Sequence, residues 1–240
     1  MAENRSIFEF KQFSLNHGNP GLKISTEACL FGAWASLKAR GKCLDIGTGC
    51  GLLASMLAQA NPACSVKAIE IHPEVAKVAS KNFNSSPFKE RLQAIESNVI
   101  TFNSNEKFDF ICTNPPFFTN HLAASDEAKH MAIHADHLSP ADLAASIDRL
   151  LKKEGEFAVL YPAEVLALFE QSLEANGLFI QEKVTIHSNP SSPVLRVMAC
   201  GSREKNPIQH KKINIKTEVG EYSPEFIELL RPYYIIFPSQ

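Results

Sequence analysis

An amide, two prolines and an aromatic ring follow one another at the end of an apolar run, as Asn114-Pro115-Pro116-Phe117. The Asn114 side-chain oxygen and the Pro115 backbone carbonyl are hydrogen-bond acceptors, and the proline rings restrict the backbone that carries them. Phe117 offers an aromatic face on which a flat ring can stack. Such residues can hold the two N–H groups of a planar amine, although a proline turn that merely ends a strand has the same composition.

A glycine turn is the second feature whose residues could take part in chemistry. Gly47, Gly49 and Gly51 stand at alternate positions after Asp45. Glycines between a strand and a helix let a ligand approach the backbone and the helix N-terminus. The spacing is GxGxG rather than the GxGxxG that seats a dinucleotide pyrophosphate, because Leu52 occupies the place of the third glycine in that pattern. A pyrophosphate cofactor is therefore disfavoured.

The next two apolar runs end in polar residues that suit an adenosine. Glu70 ends the second run, 23 residues after Gly47, where an acid can accept hydrogen bonds from both ribose hydroxyls. A carboxylate there also argues against a phosphorylated ribose. The third run is followed by Asn98, whose amide can read an adenine edge. A glycine turn alone is a weak signal, but these residues on consecutive runs together predict a cofactor site.

Short apolar runs alternate with helical segments along the chain and must position these residues. The runs that predict strands are CLDI (43–46), VKAIEI (66–71), LQAI (92–95), FDFICT (108–113) and EFAVLY (156–161). Helices are predicted to begin at Leu52, Pro73 and Pro162, and at the capping residues Thr26 and Ser139. The runs 179–186 and 193–199 predict a terminal hairpin that adds an antiparallel edge strand. This alternation is typical of an α/β fold with a mostly parallel sheet between helices, whose carboxyl edge binds ligands.

Length and composition favour one domain. The chain has 240 residues, 45% of them hydrophobic, and we expect a single domain over 1–240, with an N-terminal lead-in at 1–40 and a C-terminal hairpin and tail at 178–240. No apolar run approaches the roughly 20 residues of a membrane helix. The six cysteines form no CxxC pair, which favours reduced thiols and a cytoplasmic location over disulfides or a zinc site.

Charge is unevenly distributed. The formal net charge is -2, yet residues 196–216 carry +5 and the remainder -7. This basic stripe could neutralise phosphates, and its candidate contacts are Arg203, Lys211 and Lys212. A solvated hairpin is the alternative interpretation. Four histidines follow the NPPF residues, at 121, 130, 134 and 137; we interpret them as substrate-loop or core residues, and we predict no metal site.

The glycine turn, Glu70 and the strand rhythm together resemble the class I S-adenosylmethionine-dependent methyltransferases. That resemblance implies a three-layer, Rossmann-like fold with a seven-stranded, mostly parallel sheet whose last strand is antiparallel. It also implies that Asp45, the three glycines and Glu70 belong to the cofactor site. Asn98 stands where the family usually has an aspartate.

The NPPF residues match the motif of methyltransferases that act on planar amino groups. A conjugated exocyclic amine is a poor nucleophile because its lone pair is delocalised. Two acceptors, the Asn114 oxygen and the Pro115 carbonyl, can hold its N–H groups, bend the nitrogen toward tetrahedral geometry and aim its lone pair at the sulfonium methyl. Phe117 then stacks on the base, and Pro116 and Phe118 are further substrate-contact candidates. The chemistry requires neither a metal nor a general base.

Residues 10–35 are similar to the lead-in of the bacterial tRNA-valine adenine N6-methyltransferases. The matching positions are Lys23, Thr26, Glu27, Leu30, Phe31, Gly32, Ala33 and Trp34, of which Glu27 and Phe31 depart from the usual residues. The resemblance extends over nearly the whole chain and implies methylation of N6 of the adenine 3′ of the anticodon. It also implies that Lys23 and Thr26 line the cofactor pocket. A protein-glutamine methyltransferase and a noncatalytic RNA-binding protein on the same scaffold are the alternatives.

Overall fold

The computed structural model describes residues 6–18, 24–115 and 138–238. Its strands are β1 (Ile7–Glu9), β2 (Ser14–Asn16), β3 (Lys42–Ile46), β4 (Ser65–Glu70), β5 (Leu92–Glu96), β6 (Phe108–Thr113), β7 (Leu151–Tyr161), β8 (Phe179–His187), β9 (Val194–Ser202) and β10 (Gln209–Asn214). Its α-helices are α1 (Thr26–Ser36), α2 (Leu52–Ala60), α3 (Pro73–Ser85), α4 (Pro140–Leu150), α5 (Ala163–Ala175) and α6 (Pro224–Leu230).

Eight strands form one sheet in the order β10-β8-β9-β7-β6-β3-β4-β5, and β1 and β2 form a separate hairpin. The strands β3 to β7 are parallel where they pair, whereas β9 is antiparallel to both β7 and β8. This arrangement confirms the predicted mostly parallel sheet with one antiparallel strand. Two details differ from the expectation: β9 lies inside the sheet rather than at its edge, and β10 adds an eighth strand parallel to β8.

Helices cover both faces of the sheet. On one face, α1, α2, α3 and α6 pack against alternate strand residues such as Cys43, Val66 and Phe110. On the other face, α4 and α5 pack against the intervening residues, such as Leu44 and Ile111. Strands that are buried on both faces read as continuous apolar runs rather than as alternating ones. The three-layer architecture predicted from the sequence is therefore confirmed.

The side-chain cap predicted from the sequence is confirmed for α4 and differs for α1. Ser139 caps α4, because its hydroxyl accepts a hydrogen bond from Asp142 N at 3.1 Å. The cap of α1 is Ser25, not Thr26: Ser25 Oγ accepts from Ala28 N at 3.1 Å, and Thr26 is the first helical residue. Both residue types make good caps, so the sequence pattern could not choose between adjacent hydroxyls.

The N-terminal hairpin is fastened to the C-terminal part of the chain. Lys11 N donates to Tyr233 O at 2.8 Å, and Lys11 Nζ donates to Arg231 O at 2.7 Å. The rings of Phe8 and Phe10 lie within 6.2 Å of the Tyr234 ring. Aromatic pairs at such spacings contribute about 0.5–1.5 kcal/mol beyond their buried area. The first strand and the turn of the hairpin are thus packed against residues 231–234.

Two further points concern the state of the cysteines and the length of the helices. All six cysteines are buried with free thiols, as the absence of paired spacings predicted. Across residues 6–18, 24–115 and 138–238, no helix combines the length and apolar composition that crossing a membrane requires.

Candidate active site

The carboxyl ends of three neighbouring strands bring the chemistry-bearing residues together. In the register of the sheet, Ile46 at the end of β3 lies opposite Thr113 of β6 and Ile69 of β4. Gly47 therefore follows its strand at the same level as Asn114. Neighbouring strands are about 4.8 Å apart, so the glycine turn lies between the Asn114 backbone and the end of β4.

The glycine turn has a backbone that only glycine adopts readily. Gly47, Gly49 and Gly51 all have positive φ, at 70°, 58° and 90°, a region that other residues rarely enter. The N–H groups of Gly47 and Thr48 both donate to Ile69 O, at 2.8 and 3.0 Å. The turn is therefore fixed to β4 before any ligand binds.

Two of these glycines meet different surroundings. A side chain at Gly51 would collide with the Phe83 ring of α3, so Gly51 is required by packing. A Cβ at Gly47 would meet no atom of the described residues within 4 Å. Open space directly above the backbone of Gly47 is what close approach of a cofactor requires.

Asp45 supports the turn from below. Its side chain is completely buried, and its Oδ2 accepts from Thr48 Oγ1 at 2.6 Å and from Ala54 N at 3.2 Å. Cys112 Sγ lies 3.9 Å from Oδ1. Burial raises the pKa of Asp45 to about 7. These contacts give Asp45 a role in holding the turn. Its predicted place in the cofactor site stays a prediction.

Glu70 is held in place by backbone donors and keeps acceptor capacity. Its Oε2 accepts from Gly49 N at 3.0 Å and its Oε1 from His72 N at 3.1 Å. The side chain is 7% exposed. An ionised carboxylate has about four acceptor positions, so about two remain for a vicinal diol such as that of a ribose. The residues thus fit the adenosyl group of S-adenosylmethionine.

Asn98 lies at the end of the next strand, after Ser97, whose N–H donates to Glu70 O at 2.9 Å. The Asn98 Oδ1 accepts from Ile100 N at 2.9 Å. Because a backbone N–H can only donate, the oxygen of the amide must face it. Both N–H groups of Asn98, and one lone pair of its oxygen, remain for a ligand.

Asn114 and Pro115 follow a strand end that is firmly fixed. Thr113 is completely buried, and its Oγ1 donates to Ile46 O at 2.8 Å, which joins β6 to β3 directly below the site. Asn114 is half-buried and Pro115 is buried. The predicted residues Pro116, Phe117 and Phe118, the histidines at 121, 130, 134 and 137, and Lys23 lie outside the described residues. Thr26 has an exposed side chain at the start of α1, and its predicted cofactor contact stays a prediction.

The basic stripe is divided between two edges of the sheet. Arg203 follows the end of β9, and because β9 runs antiparallel, this end lies at the edge opposite the glycine turn. Its guanidinium donates to Asp148 Oδ1 and Asp148 O. The stripe was expected to lie together at the hairpin end of the sheet, but the antiparallel strand places Arg203 at the other edge. Its predicted RNA contact stays a prediction.

Lys211 and Lys212 lie on β10, with side chains on opposite faces of the strand. Lys211 Nζ pairs with Glu182 Oε1 at 2.7 Å, and Lys38 Nζ pairs with the other oxygen of Glu182 at 2.6 Å. Lys212 Nζ donates only to Pro190 O at 3.0 Å among the described residues, so two of its N–H groups remain. Of the three predicted RNA contacts, Lys212 is the one that makes no ion pair with a described residue.

Some residues that shape the site escaped sequence analysis. Thr48 and Thr113 were not singled out, although both fix strand ends by hydrogen bonds from their hydroxyls. Asn82 of α3 donates to Cys50 O within the glycine turn at 2.8 Å. An asparagine in the middle of a helix carries no distinctive pattern, so only its buried position reveals it. Within the described residues no three His, Cys, Asp or Glu side chains cluster as metal ligands.

Comparison with known proteins identifies relatives over nearly the full length. The sequence profile of the Methyltransferase small domain family matches residues 29–160. A tRNA1(Val) (adenine(37)-N6)-methyltransferase of Bacteroides thetaiotaomicron is 33% identical over 230 residues, which cover 95% of this chain and 97% of the relative. The protein of the same name from Dyadobacter fermentans is 35% identical over 234 residues, which cover 96% and 98%.

Solved structures share the fold at low sequence identity. A structure from Agrobacterium tumefaciens, described as a predicted O-methyltransferase, covers 84% of this chain and 93% of its own length, with a TM-score of 0.64 and 15% identity. The glycopeptide N-methyltransferase MtfA, solved with S-adenosylmethionine, covers 71% of this chain and 93% of its own, with a TM-score of 0.53 and 12% identity. On its sequence relatives and its profile match, the chain belongs to the tRNA1(Val) (adenine(37)-N6)-methyltransferase family.

Proposed function

We propose that the protein transfers a methyl group from S-adenosylmethionine to N6 of an adenine in tRNA, namely the adenine 3′ of the anticodon of a valine tRNA. The observation that carries this proposal is the pairing of Ile46 with Thr113. It puts Asn114 and Pro115 one strand away from the glycine turn, so an amine held by the first would lie beside a methyl donor held by the second.

The glycine turn and Glu70 form the proposed cofactor site. When bound, S-adenosylmethionine supplies an electrophilic sulfonium methyl group. Gly47, Gly49 and Gly51 shape the turn, and the free space above Gly47 admits the cofactor close to the backbone. Glu70 accepts hydrogen bonds from the ribose hydroxyls with the acceptor positions that Gly49 and His72 leave available. Lys23 and Thr26 are proposed to line the same pocket, on the family resemblance.

Asn98 is proposed to read the adenine of the cofactor through its NH2 group. The family usually has an aspartate at this position, which can accept a hydrogen bond from the exocyclic amine. Here the amide oxygen is engaged by Ile100 N at 2.9 Å. The two N–H groups are both available, and one of them would donate to a ring nitrogen of the base.

Asn114 and Pro115 are the proposed catalytic residues. The Asn114 side-chain oxygen and the Pro115 carbonyl accept the two N–H groups of the target amine and so favour a tetrahedral nitrogen with its lone pair directed at the methyl group. No hydrogen bond joins the Asn114 side chain to another described residue, so its amide is available. Phe117 is proposed to stack on the flipped base, with Pro116 and Phe118 beside it, and stacking contributes about 1–3 kcal/mol per base.

RNA binding is proposed at the same edge of the sheet, with Lys212 as a phosphate contact. Lys211 can contribute only in competition with Glu182, whose carboxylate it contacts at 2.7 Å. The six buried free thiols suit a reducing compartment, and we propose a cytoplasmic location.

Incubation with isotopically labelled S-adenosylmethionine and total tRNA, followed by mass spectrometry of the nucleosides, tests the proposal. We expect labelled N6-methyladenosine, and its mapping to the base 3′ of a valine anticodon. Asn114→Ala should reduce the rate by about 10²–10³, as loss of a transition-state hydrogen bond does, while S-adenosylhomocysteine still binds. Label in a different nucleoside, or no label in tRNA, would refute the proposed substrate.

A further inference from the structure

Asn82, on α3, joins two separate segments through one buried amide. Its side chain is 6% exposed. Its Oδ1 accepts from Asn16 N at 3.0 Å, and its Nδ2 donates to Asn16 O at 2.9 Å and to Cys50 O at 2.8 Å. Asn16 ends β2 of the N-terminal hairpin, and Cys50 stands between two glycines of the glycine turn. Both N–H groups of the amide are used, so its orientation is fixed.

The neighbours of Asn82 on α3 reinforce both attachments. The Phe83 ring packs against Gly51, where no side chain could fit. The Val78 side chain lies 3.5 Å from the point where a Cβ of Gly18 would stand. Asn16 Oδ1 in turn accepts from Gly18 N at 2.8 Å. One face of α3 therefore holds the turn at residues 16–18 and the glycine turn at residues 47–51 in a fixed relation.

The hydrogen-bond chain continues to the ribose-binding residue. Gly49, next to Cys50, donates to Glu70 Oε2 at 3.0 Å. A shift of the Cys50 carbonyl would move the Gly49 N–H and with it the Glu70 carboxylate. Buried polar groups that satisfy one another in this way rigidify a site, and a partly satisfied network is costly.

We propose that Asn82 is a positioning residue for cofactor binding, which sets the glycine turn through Cys50 O and docks the N-terminal hairpin beside it. Asn82 itself contacts only protein. This inference rests on the proposed assignment of the cofactor, but not on the identity of the RNA. It predicts that the hairpin and the glycine turn respond together when the cofactor binds.

The test compares Asn82→Asp with Asn61→Asp by measuring the dissociation constant of S-adenosylhomocysteine calorimetrically. The Asn82→Asp carboxylate is nearly isosteric but cannot donate to Asn16 O or Cys50 O. Asn61 is a matched control, because its amide also bridges backbone groups, donating to Ala39 O at 3.1 Å and accepting from Ala63 N at 2.9 Å. It follows α2, at the edge away from the glycine turn.

We expect Asn82→Asp to raise the dissociation constant of S-adenosylhomocysteine about tenfold or more, since small misplacements at a site have large effects. The KM for the methyl donor should rise to match, and kcat should change less. Asn61→Asp should lower Tm comparably while leaving affinity within about twofold. Equal losses of affinity in both variants, or none in Asn82→Asp, would overturn the inference.

Hydrogen exchange on the unmodified protein provides a second test if Asn82→Asp fails to fold. We expect S-adenosylhomocysteine to slow exchange of the Asn16 N–H together with the Gly49 N–H. Protection of the glycine turn without protection of Asn16 would refute the coupling. Wild-type protein that binds no S-adenosylhomocysteine would refute the cofactor assignment as well, whereas normal binding with an unexpected methylated product would affect only the proposed substrate.

Discussion

Replacing Lys212 and Lys216 together by alanine tests where the RNA backbone lies. Both residues are near the β8–β9 turn at the carboxyl edge: Lys212 Nζ donates to Pro190 O at 3.0 Å, and Lys216 N donates to Ser188 O at 2.9 Å. Neither makes an ion pair with another described residue. Because β10 is four strands from β6, they lie roughly 19 Å from Asn114 along the sheet, at about 4.8 Å per strand.

The expected magnitude follows from counterion release. Each lysine that neutralises a phosphate contributes about 0.7 to 0.9 to the slope of log affinity against log salt concentration. Loss of both should therefore reduce the slope by about 1.4 to 1.8. If the salt dependences of the two proteins converge near 1 M, this corresponds to roughly 25- to 60-fold weaker binding at 0.1 M salt.

Fluorescence anisotropy of a labelled valine tRNA across a salt titration measures this slope. Lys205→Ala is the matched control: it lies in the same basic stripe, but beyond the end of β9 at the opposite edge, with Nζ 5.4 Å from the Phe179 ring centroid. It should leave the slope unchanged. An unchanged slope in the double variant, or an equal change in Lys205→Ala, would refute the proposed RNA contacts at this edge. The lysines would then belong to a solvated hairpin.

Three further predictions concern the cofactor site. Gly47→Ala should retain most of its stability, since its Cβ meets no described residue within 4 Å and the positive φ costs about 1–2 kcal/mol. It should nevertheless weaken the binding of S-adenosylhomocysteine measured by calorimetry. Gly51→Ala should lower Tm instead, because its Cβ would collide with the Phe83 ring. Burial raises the pKa of Asp45 to about 7 from 3.8, so its protonation stabilises the fold at low pH and this contribution is lost as pH rises toward and through 7. In urea unfolding, the free energy of unfolding of Asp45→Asn relative to that of wild type should rise by up to about 4 kcal/mol between pH 4 and pH 8. A pH-independent difference would contradict this. Asn98→Asp should increase the preference for S-adenosylhomocysteine over its 6-oxo analogue S-inosylhomocysteine about tenfold, because a carboxylate accepts from the amine but not from a carbonyl; equal preference in both proteins would show that Asn98 does not face the base.

The central strands were predictable because they are buried on both faces. The run 108–113 matches β6 residue for residue. The predicted run 43–46 starts one residue after β3, and 66–71 is displaced by one residue from β4 at both ends. The start of β7 was missed, because Lys152, Lys153 and Glu154 interrupt the apolar pattern. The short hairpin strands β1 and β2, of three residues each, carry too few side chains for a period to be recognised.

The edge strand β10 had no readable signal. None of its residues is buried and its first four are exposed, so pairing with β8 comes from backbone hydrogen bonds rather than from an apolar face. Lysines on an edge strand also discourage pairing with another sheet. The same residues read as a basic stripe in the sequence, although Lys211 is largely committed to Glu182.

Residue type and strand position predicted that Glu70, the glycines and Asn114 lie together, because parallel strands bring their carboxyl ends to one edge. The register of the sheet confirms this placement, and their roles stay predictions. The burial of Asp45 was not predictable, since a carboxylate after an apolar strand can point up to a ligand or down to a helix. Three-dimensional contacts decide it: Thr48 Oγ1 and Ala54 N both bind its Oδ2.

The attachment of the N-terminal hairpin to the C-terminal tail sets an order for biosynthesis. Lys11 Nζ binds Arg231 O, 220 residues further along the chain. At about 5–20 residues per second on the ribosome, roughly 10 to 45 s pass before this second, C-terminal anchor of the hairpin is translated, whereas Asn82 is made much earlier. Nascent chains halted before residue 231 should therefore carry a protease-sensitive hairpin.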